Sequence, residues 1–407
     1  MRLLFVHPAF PSQYCHLAPH LARAGHEVAA VGEKATLLGQ RVVMDGVKLL
    51  GYDLPPLDAA RASGPDSNLQ RALQRGIAVA AGARQLARDG FRPDVVLAHP
   101  GWGDALLLKD VFPDAKLLLY CEAFYRARGA DVGFDPEFPP PPDAAFGFRL
   151  TNAPWLISLH AADRGVAPTR WQRSLFPPEY APRIEVIHDG IDTARAAPNP
   201  GARFQVPGGP LLARGDEVVT YVARNLEPHR GFHVFLRALP ELLKRRPKAR
   251  VVIIGGDQTS YSPPLPAGET YRARLLRELG GSFDASRVHF CGWLPYADYL
   301  ALLQVSSAHV YLTYPFVLSW SALEAMACGC LVIGSRTGPV EEVIEDGRNG
   351  WLVDFFSPAE IARRVDEALG AGAKLDALRA QARRTVLERY DLKTVCLPAQ
   401  VKLIESL

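Results

Sequence analysis

Apolar positions along this chain alternate between two rhythms. Short continuous runs at residues 3–6, 28–31, 94–98, 116–120 and 183–188 read as buried strands. Between them the spacing is helical. Leu17, Ala18 and Leu21 share one face of a helix opened by Ser12 or Gln13 and ended at Gly25. Residues 67–89 make a long helix, and a helical stretch lies near 170–176. The series then restarts, with strands at 218–223, 251–255, 288–291, 309–312 and 331–333. Helices at 232–245, 270–279, 296–306 and from Ser321 to Gly329 fall between these strands. Strand–helix alternation over the whole length predicts an α/β protein with two doubly wound, Rossmann-like parallel-sheet domains. No repeat is visible in the residues themselves.

The boundaries follow from the punctuation. Segment 193–215 is turn-rich and poorly periodic, with Pro198, Pro200, Gly201, Pro207, Gly208, Gly209 and Pro210, and reads as the hinge. Domains at 1–192 and 193–385 result. Pro398 is expected to kink or break a terminal helix. Residues 121–150 are rich in aromatics and proline, and a long irregular stretch of that kind inside a domain is a lid or a packed loop. A lid would offer Glu122, Tyr125, Arg126 and Arg128 as candidate polar contacts for a ligand; a purely structural loop is the alternative.

Length and composition narrow the classes. The 407 residues are 48% hydrophobic, enough for two cores, and the net charge of +3 argues against bulk nucleic-acid binding. The first apolar run ends at Pro8 and reads as a strand, not a signal peptide. No window approaches the ~18 apolar residues that span a bilayer. The six cysteines form no Cys-x-x-Cys pair and read as reduced thiols of a cytoplasmic protein. No Gly-x-Gly-x-x-Gly follows a strand, and no P-loop, His-Glu-x-x-His or Asp-x-Asp occurs. We therefore expect neither a resident cofactor nor a metal.

Three constellations carry chemistry. In the first, a strand leads through Tyr314-Pro315-Phe316-Val317-Leu318-Ser319 into a helix bearing Glu324. Such a helix start suits a phosphate and the carboxylate suits a sugar hydroxyl. Ser321-x-x-Glu324 is also a capping box, in which the glutamate would only satisfy a backbone N–H. In the second, Arg224 and Arg230 flank a short loop ending in Gly231, between a strand and a helix. Two guanidiniums there can clamp a diphosphate and neutralise a leaving group, or they are simply solvated. In the third, His99 ends a buried strand. Gly256 and the pair Trp293-Leu294 end two further strands, and either can border a nucleotide or be ordinary turn chemistry. Ser12 and Gln13 could offer a helix cap and backbone N–H groups to a phosphate.

The run Leu323-Glu324-Ala325-Met326-Ala327-Cys328-Gly329 precedes an apolar strand. Together with the later Glu341-Glu342 and Asp346-Gly347-Arg348-Asn349-Gly350 signals, it resembles the donor-site motif of retaining glycosyltransferases of family 4. Arg224-x5-Arg230-Gly231 is similar to the same family's arginine element. The resemblance covers nearly the whole chain and implies the GT-B architecture, two such domains facing a cleft. It implies a metal-independent transfer from a nucleoside-diphosphate sugar to a saccharide, lipid-linked or other hydroxyl acceptor, with no nucleic-acid partner and at most peripheral membrane contact. It further implies that Glu324 binds the ribose, that residues 316–319 line the donor and that His99 lies near the transferred sugar. The first domain would hold the acceptor, its pocket shaped by residues 121–150 with Glu122, Tyr125, Arg126 and Arg128 as contacts, and a helix at about 386–407 would cross back onto that domain. The family usually carries a second glutamate, contacting the sugar, where this chain has Phe316. Two alternatives therefore stay open: a nucleotide-sugar epimerase of the same fold, and a non-catalytic nucleotide-sugar-binding protein.

Overall fold

Strands β1 (Arg2–Val6), β2 (Glu27–Glu33), β3 (Val47–Tyr52), β4 (Val95–Ala98), β5 (Lys116–Tyr120), β6 (Arg164–Ala167) and β7 (Ile184–Val186) form one sheet. The computed structural model describes residues 1–57 and 66–407. The sheet order is β3-β2-β1-β4-β5-β6-β7, and every pairing is parallel. Leu3, Leu4, Phe5 and Val6 are all fully buried, as a parallel sheet covered on both faces demands. Its core gathers Val31, Val79, Val96, Leu119, Trp155 and Leu159.

A second sheet is built from β10 (Val218–Asn225), β11 (Arg250–Gly256), β12 (Val288–Gly292), β13 (Ala308–Tyr311), β14 (Val332–Ser335) and β15 (Trp351–Val353). Its order is β12-β11-β10-β13-β14-β15, again wholly parallel. Each sheet thus has one place where the chain order reverses, between β1 and β4 and between β10 and β13. Ligands of doubly wound proteins collect beyond the strand C-termini at such points.

The chain divides into two units: Met1–Gly133, Pro140–Asp189 and Cys396–Leu407 in one, Phe134–Pro139 and Gly190–Val395 in the other. The segment 193–215 lies just past the division between Asp189 and Gly190. It carries the antiparallel pair β8 (Arg203–Gln205) and β9 (Leu211–Ala213), whose Phe204 and Leu212 join the second core. The helix Leu397–Glu405 packs in the first unit, and Pro398 stands in its first turn, where the missing N–H is no loss.

Other expectations shift. Ser12 and Gln13 form a short 3-10 turn, and the helix proper is Leu17–Arg23. Neither start is capped by Ser12, whose φ is +41°. A helix, Ala144–Ala161, begins inside the stretch read as irregular, its pattern blurred by Gly147 and Pro154. No helix among the described residues is long and apolar enough to cross a membrane.

Candidate functional site

In the second unit, Arg230 spans the point of reversal. It follows β10, yet its Nη1 donates to Thr313 Oγ1 (2.8 Å) and to the Val317 carbonyl (2.9 Å), both beyond β13. Tyr221 donates to the carbonyl of Arg230 at 2.6 Å, fixing the backbone beneath it. Gly231 lets the loop lie this close: its φ is +68°, and a Cβ would stand 2.4 Å from that of Leu312. The remaining N–H groups of Arg230 have no partner among the described residues. Arg224 is exposed, and its side chain enters no ion pair or hydrogen bond among those residues.

Between the arginines, Glu227 was not foreseen. Its Oε2 accepts the backbone N–H groups of Ser260, Tyr261 and Ser262 at 2.9–3.0 Å. A carboxylate ringed by three N–H groups pins this loop beside the arginines. The Tyr261 ring then lies 5.1 Å from that of Phe316 and 5.9 Å from the Arg230 guanidinium.

Glu324 is held otherwise than the capping box supposes. The helix is Trp320–Ala327, so Glu324 lies one turn in, and the cap is Ser319, whose hydroxyl accepts the Ser321 N–H. Tyr296 donates to Glu324 Oε1 and Tyr299 to Oε2, each at 2.7 Å. Burial raises the pKa of this carboxyl, against the pull of the two tyrosines. Each carboxylate oxygen keeps a second lone pair for a ligand hydroxyl. A Tyr-x-x-Tyr pair opening the helix before this motif was the available signal.

Phe316 and Leu318 are buried; Val317 and Ser319 are partly so. Phe316 packs edge-on to His229 (4.9 Å), making an aromatic cluster where a carboxylate would be polar. The Trp293 ring is 68% exposed and stands over Gly256, a flat face free for stacking. Leu294 instead packs against the core.

In the first unit the reversal point carries two histidines. His7 directly follows β1 and His99 directly follows β4, with rings 5.4 Å apart. Each is followed by proline, and each Nδ1 accepts a backbone N–H two residues on, from Ala9 (2.9 Å) and Gly101 (3.2 Å). With Nδ1 accepting, the proton of a neutral ring sits on Nε2. His99 directs that proton to Glu122 Oε2 at 3.0 Å, and Trp102 stacks on its ring at 4.3 Å. His7 Nε2 is buried without a partner among the described residues, and burial, then His99 and Arg75, push its pKa well down. His7 was missed; a second strand ending in His-Pro was the signal.

The remaining expected contacts separate. Arg126 caps the carbonyl end of the helix Arg170–Leu175, through Leu175 (2.9 Å) and Ser174 (2.6 Å), which commits two of its five N–H groups and fixes its place. Tyr125 is tied through its backbone to Asn152 and stacks on Phe148 at 5.9 Å. Arg128 is exposed. Gln13 Oε1 is buried with no partner among the described residues. No group of three His, Cys, Asp or Glu among those residues is arranged to hold a metal.

Residues 24–196 match the Glycosyl transferase family 4 group, and residues 209–385 match Glycosyl transferases group 1. The chain belongs to glycosyltransferase family 4. Among curated relatives, the family member is 28% identical over 242 residues to a GDP-mannose-dependent alpha-(1-6)-phosphatidylinositol monomannoside mannosyltransferase of Mycolicibacterium smegmatis, covering 56% of this chain and 58% of that protein. It is 29% identical over 213 residues to a D-inositol 3-phosphate glycosyltransferase of Acidothermus cellulolyticus, covering 51% and 45%. The chain thus spans about half the length of these curated relatives. In fold it resembles Anabaena HepE in complex with UDP, with a TM-score of 0.70, 17% identity and full coverage of both chains. Two parallel-sheet α/β domains are the architecture of GT-B glycosyltransferases.

Proposed function

We propose that the chain transfers a sugar from a nucleoside-diphosphate sugar to an acceptor hydroxyl, with retention at the anomeric carbon and without a metal. The single observation carrying this reading is Arg230, braced across the strand-order reversal by one nitrogen while the rest of its guanidinium stays uncommitted. With Arg224 it would grip the diphosphate, and Glu324 would accept a ribose hydroxyl. Trp293 offers its exposed face to the base. The first unit would hold the acceptor, with Glu122, Tyr125 and Arg128 nearest and His99 beside the sugar.

The chemistry balances without an enzyme nucleophile. The bond from the anomeric carbon to the diphosphate oxygen breaks as the acceptor oxygen bonds the same face. The acceptor proton passes to the departing diphosphate, whose growing charge the arginines stabilise. The curated relatives are named for inositol-bearing acceptors, which supports an inositol or saccharide hydroxyl here. A lipid-linked acceptor would add peripheral membrane contact. The six cysteines, read as reduced, suit a reducing, cytoplasmic setting.

Arg230→Ala should cut turnover about 10²-fold and Arg224→Ala about tenfold, with folding intact. Near-normal rates in both variants would remove the clamp. Phe316, apolar where a glutamate is usual, favours keeping the two alternatives under test. Incubation with donor alone would yield an epimer from an isomerase. Donor bound with no nucleoside diphosphate released, even with acceptors supplied, would mark a binding protein.

A further inference from the structure

Phe134–Pro139 is a short excursion. The chain on either side of it belongs to the first unit, but these six residues belong to the second. They are well anchored there. The Phe134 ring lies 5.0–5.2 Å from those of Tyr314, Phe355 and Phe356. Phe138 stands edge-on to His233 and Tyr271. Glu137 takes both Nη groups of Arg237, at 2.6 and 2.8 Å.

Asp135 sits at the centre and is 2% exposed. Its Oδ2 accepts the Tyr314 hydroxyl at 2.7 Å and stands 3.0 Å from His233 Nε2, while Oδ1 accepts the Glu137 N–H at 2.9 Å. Burial alone would raise the pKa of this carboxyl; the bonds from His233 and Tyr314 outweigh it and hold the value below the usual range.

The two side chains that Asp135 joins flank the arginine clamp. His233 lies three residues beyond Arg230, at the start of the helix Phe232–Arg245. Tyr314 opens the loop whose Val317 carbonyl receives Arg230. Tyr314 also donates its N–H to the His229 carbonyl at 3.0 Å, and the two rings are 4.7 Å apart. One buried carboxylate therefore ties together the loop before the helix and the loop after β13.

We propose that Phe134–Pro139 is a brace of the donor site, and that Asp135 is a positioning residue fixing Tyr314, and through it His229 and the loop to Val317, for the grip of Arg230 on a diphosphate. This rests on the donor-binding reading above. The brace acts without touching the ligand. It sets how much of the guanidinium's geometry exists before the donor arrives, so its loss appears in affinity.

The test measures UDP and GDP binding by calorimetry, and donor KM and kcat, in the full-length protein well below its melting temperature. Asp135→Ala and Tyr314→Phe should each weaken the nucleoside diphosphate that the wild type binds by about tenfold, the usual effect of losing a charge-assisted hydrogen bond. Donor KM should rise with it, and kcat should change less. Asp135→Asn, which can still accept the Tyr314 hydroxyl, should recover part of the loss. Glu185→Gln, which alters only an exposed pair with Arg164 in the first unit, should stay within about twofold. If Asp135→Ala and Tyr314→Phe lower the melting temperature yet bind as the wild type does, the brace is purely structural and the inference falls alone. If the wild type binds neither nucleotide and releases none from any donor, the donor reading falls and takes the inference with it.

Discussion

Asp104 shows what a single buried group can do to this protein. It is fully buried; Tyr52 donates to its Oδ1 at 3.1 Å, while Oδ2 has no partner among the described residues. Burial, only partly opposed by Arg75 and the Tyr52 bond, pushes its pKa up to about 6 from the usual 3.8. Between those values the unfolded chain has released a proton that the folded chain retains. Stability therefore falls as pH rises through that window, by on the order of 3 kcal/mol. Asp104→Asn does not titrate and keeps an acceptor for Tyr52. Its unfolding free energy relative to the wild type should climb between pH 4 and 7, then level off. Denaturant titrations at three pH values would show it, and a flat difference would mean the carboxyl ionises normally. Nothing in the sequence marks Asp104, because its burial depends on Tyr52 and on the turn after His99. Glu324 was legible as a special carboxylate, but its two tyrosine partners lie on another helix, where only their Tyr-x-x-Tyr spacing hinted at them.

At the scale of elements, strands and helices with strong periodicity were readable, even across a proline or glycine, and those with a weak apolar pattern were not. The helix Phe232–Arg245 follows its apolar stripe despite Pro240. Ala144–Ala161 was hidden because Gly147 and Pro154 break its rhythm, and β3 because its residues are only half-buried. The terminal helix Leu397–Glu405 tests whether burial or propensity fixes an element. Leu403 and Ile404 are buried, and with Leu17, Leu97 and Leu118 they line an apolar cavity in the first unit. Leu403→Ala should cost about 2–5 kcal/mol by enlarging that space. Pro398→Ala should cost under about 1 kcal/mol, since proline in a first helical turn forfeits no bond. Chemical denaturation of both variants separates the two effects, and equal losses would mean that the proline sets the turn that leads into the helix.

At the scale of the molecule, two wholly parallel sheets were legible because every central strand is buried on both faces and reads as an apolar run. The traffic of the chain between units was not. The excursion at 134–139 breaks no periodicity, and its anchors are scattered from His233 to Phe356. This division makes a whole-chain prediction possible. On the proposed function, a nucleoside diphosphate gripped by Arg230 and Glu324 should slow amide exchange in residues 224–231 and 313–324. Ligand binding to the folded state alone raises its apparent stability by about 2.7 kcal/mol at a hundredfold excess over Kd, and exchange through larger openings of that unit should slow accordingly. Residues 134–139 should gain protection with the second unit, although they lie within the first in sequence. Amides in β1 to β7 should change little with nucleotide alone. Exchange measured by mass spectrometry, with and without UDP or GDP, distinguishes the patterns. Protection centred on His7 and His99 instead would move the nucleotide to the other reversal point, and with it the donor role from one sheet to the other.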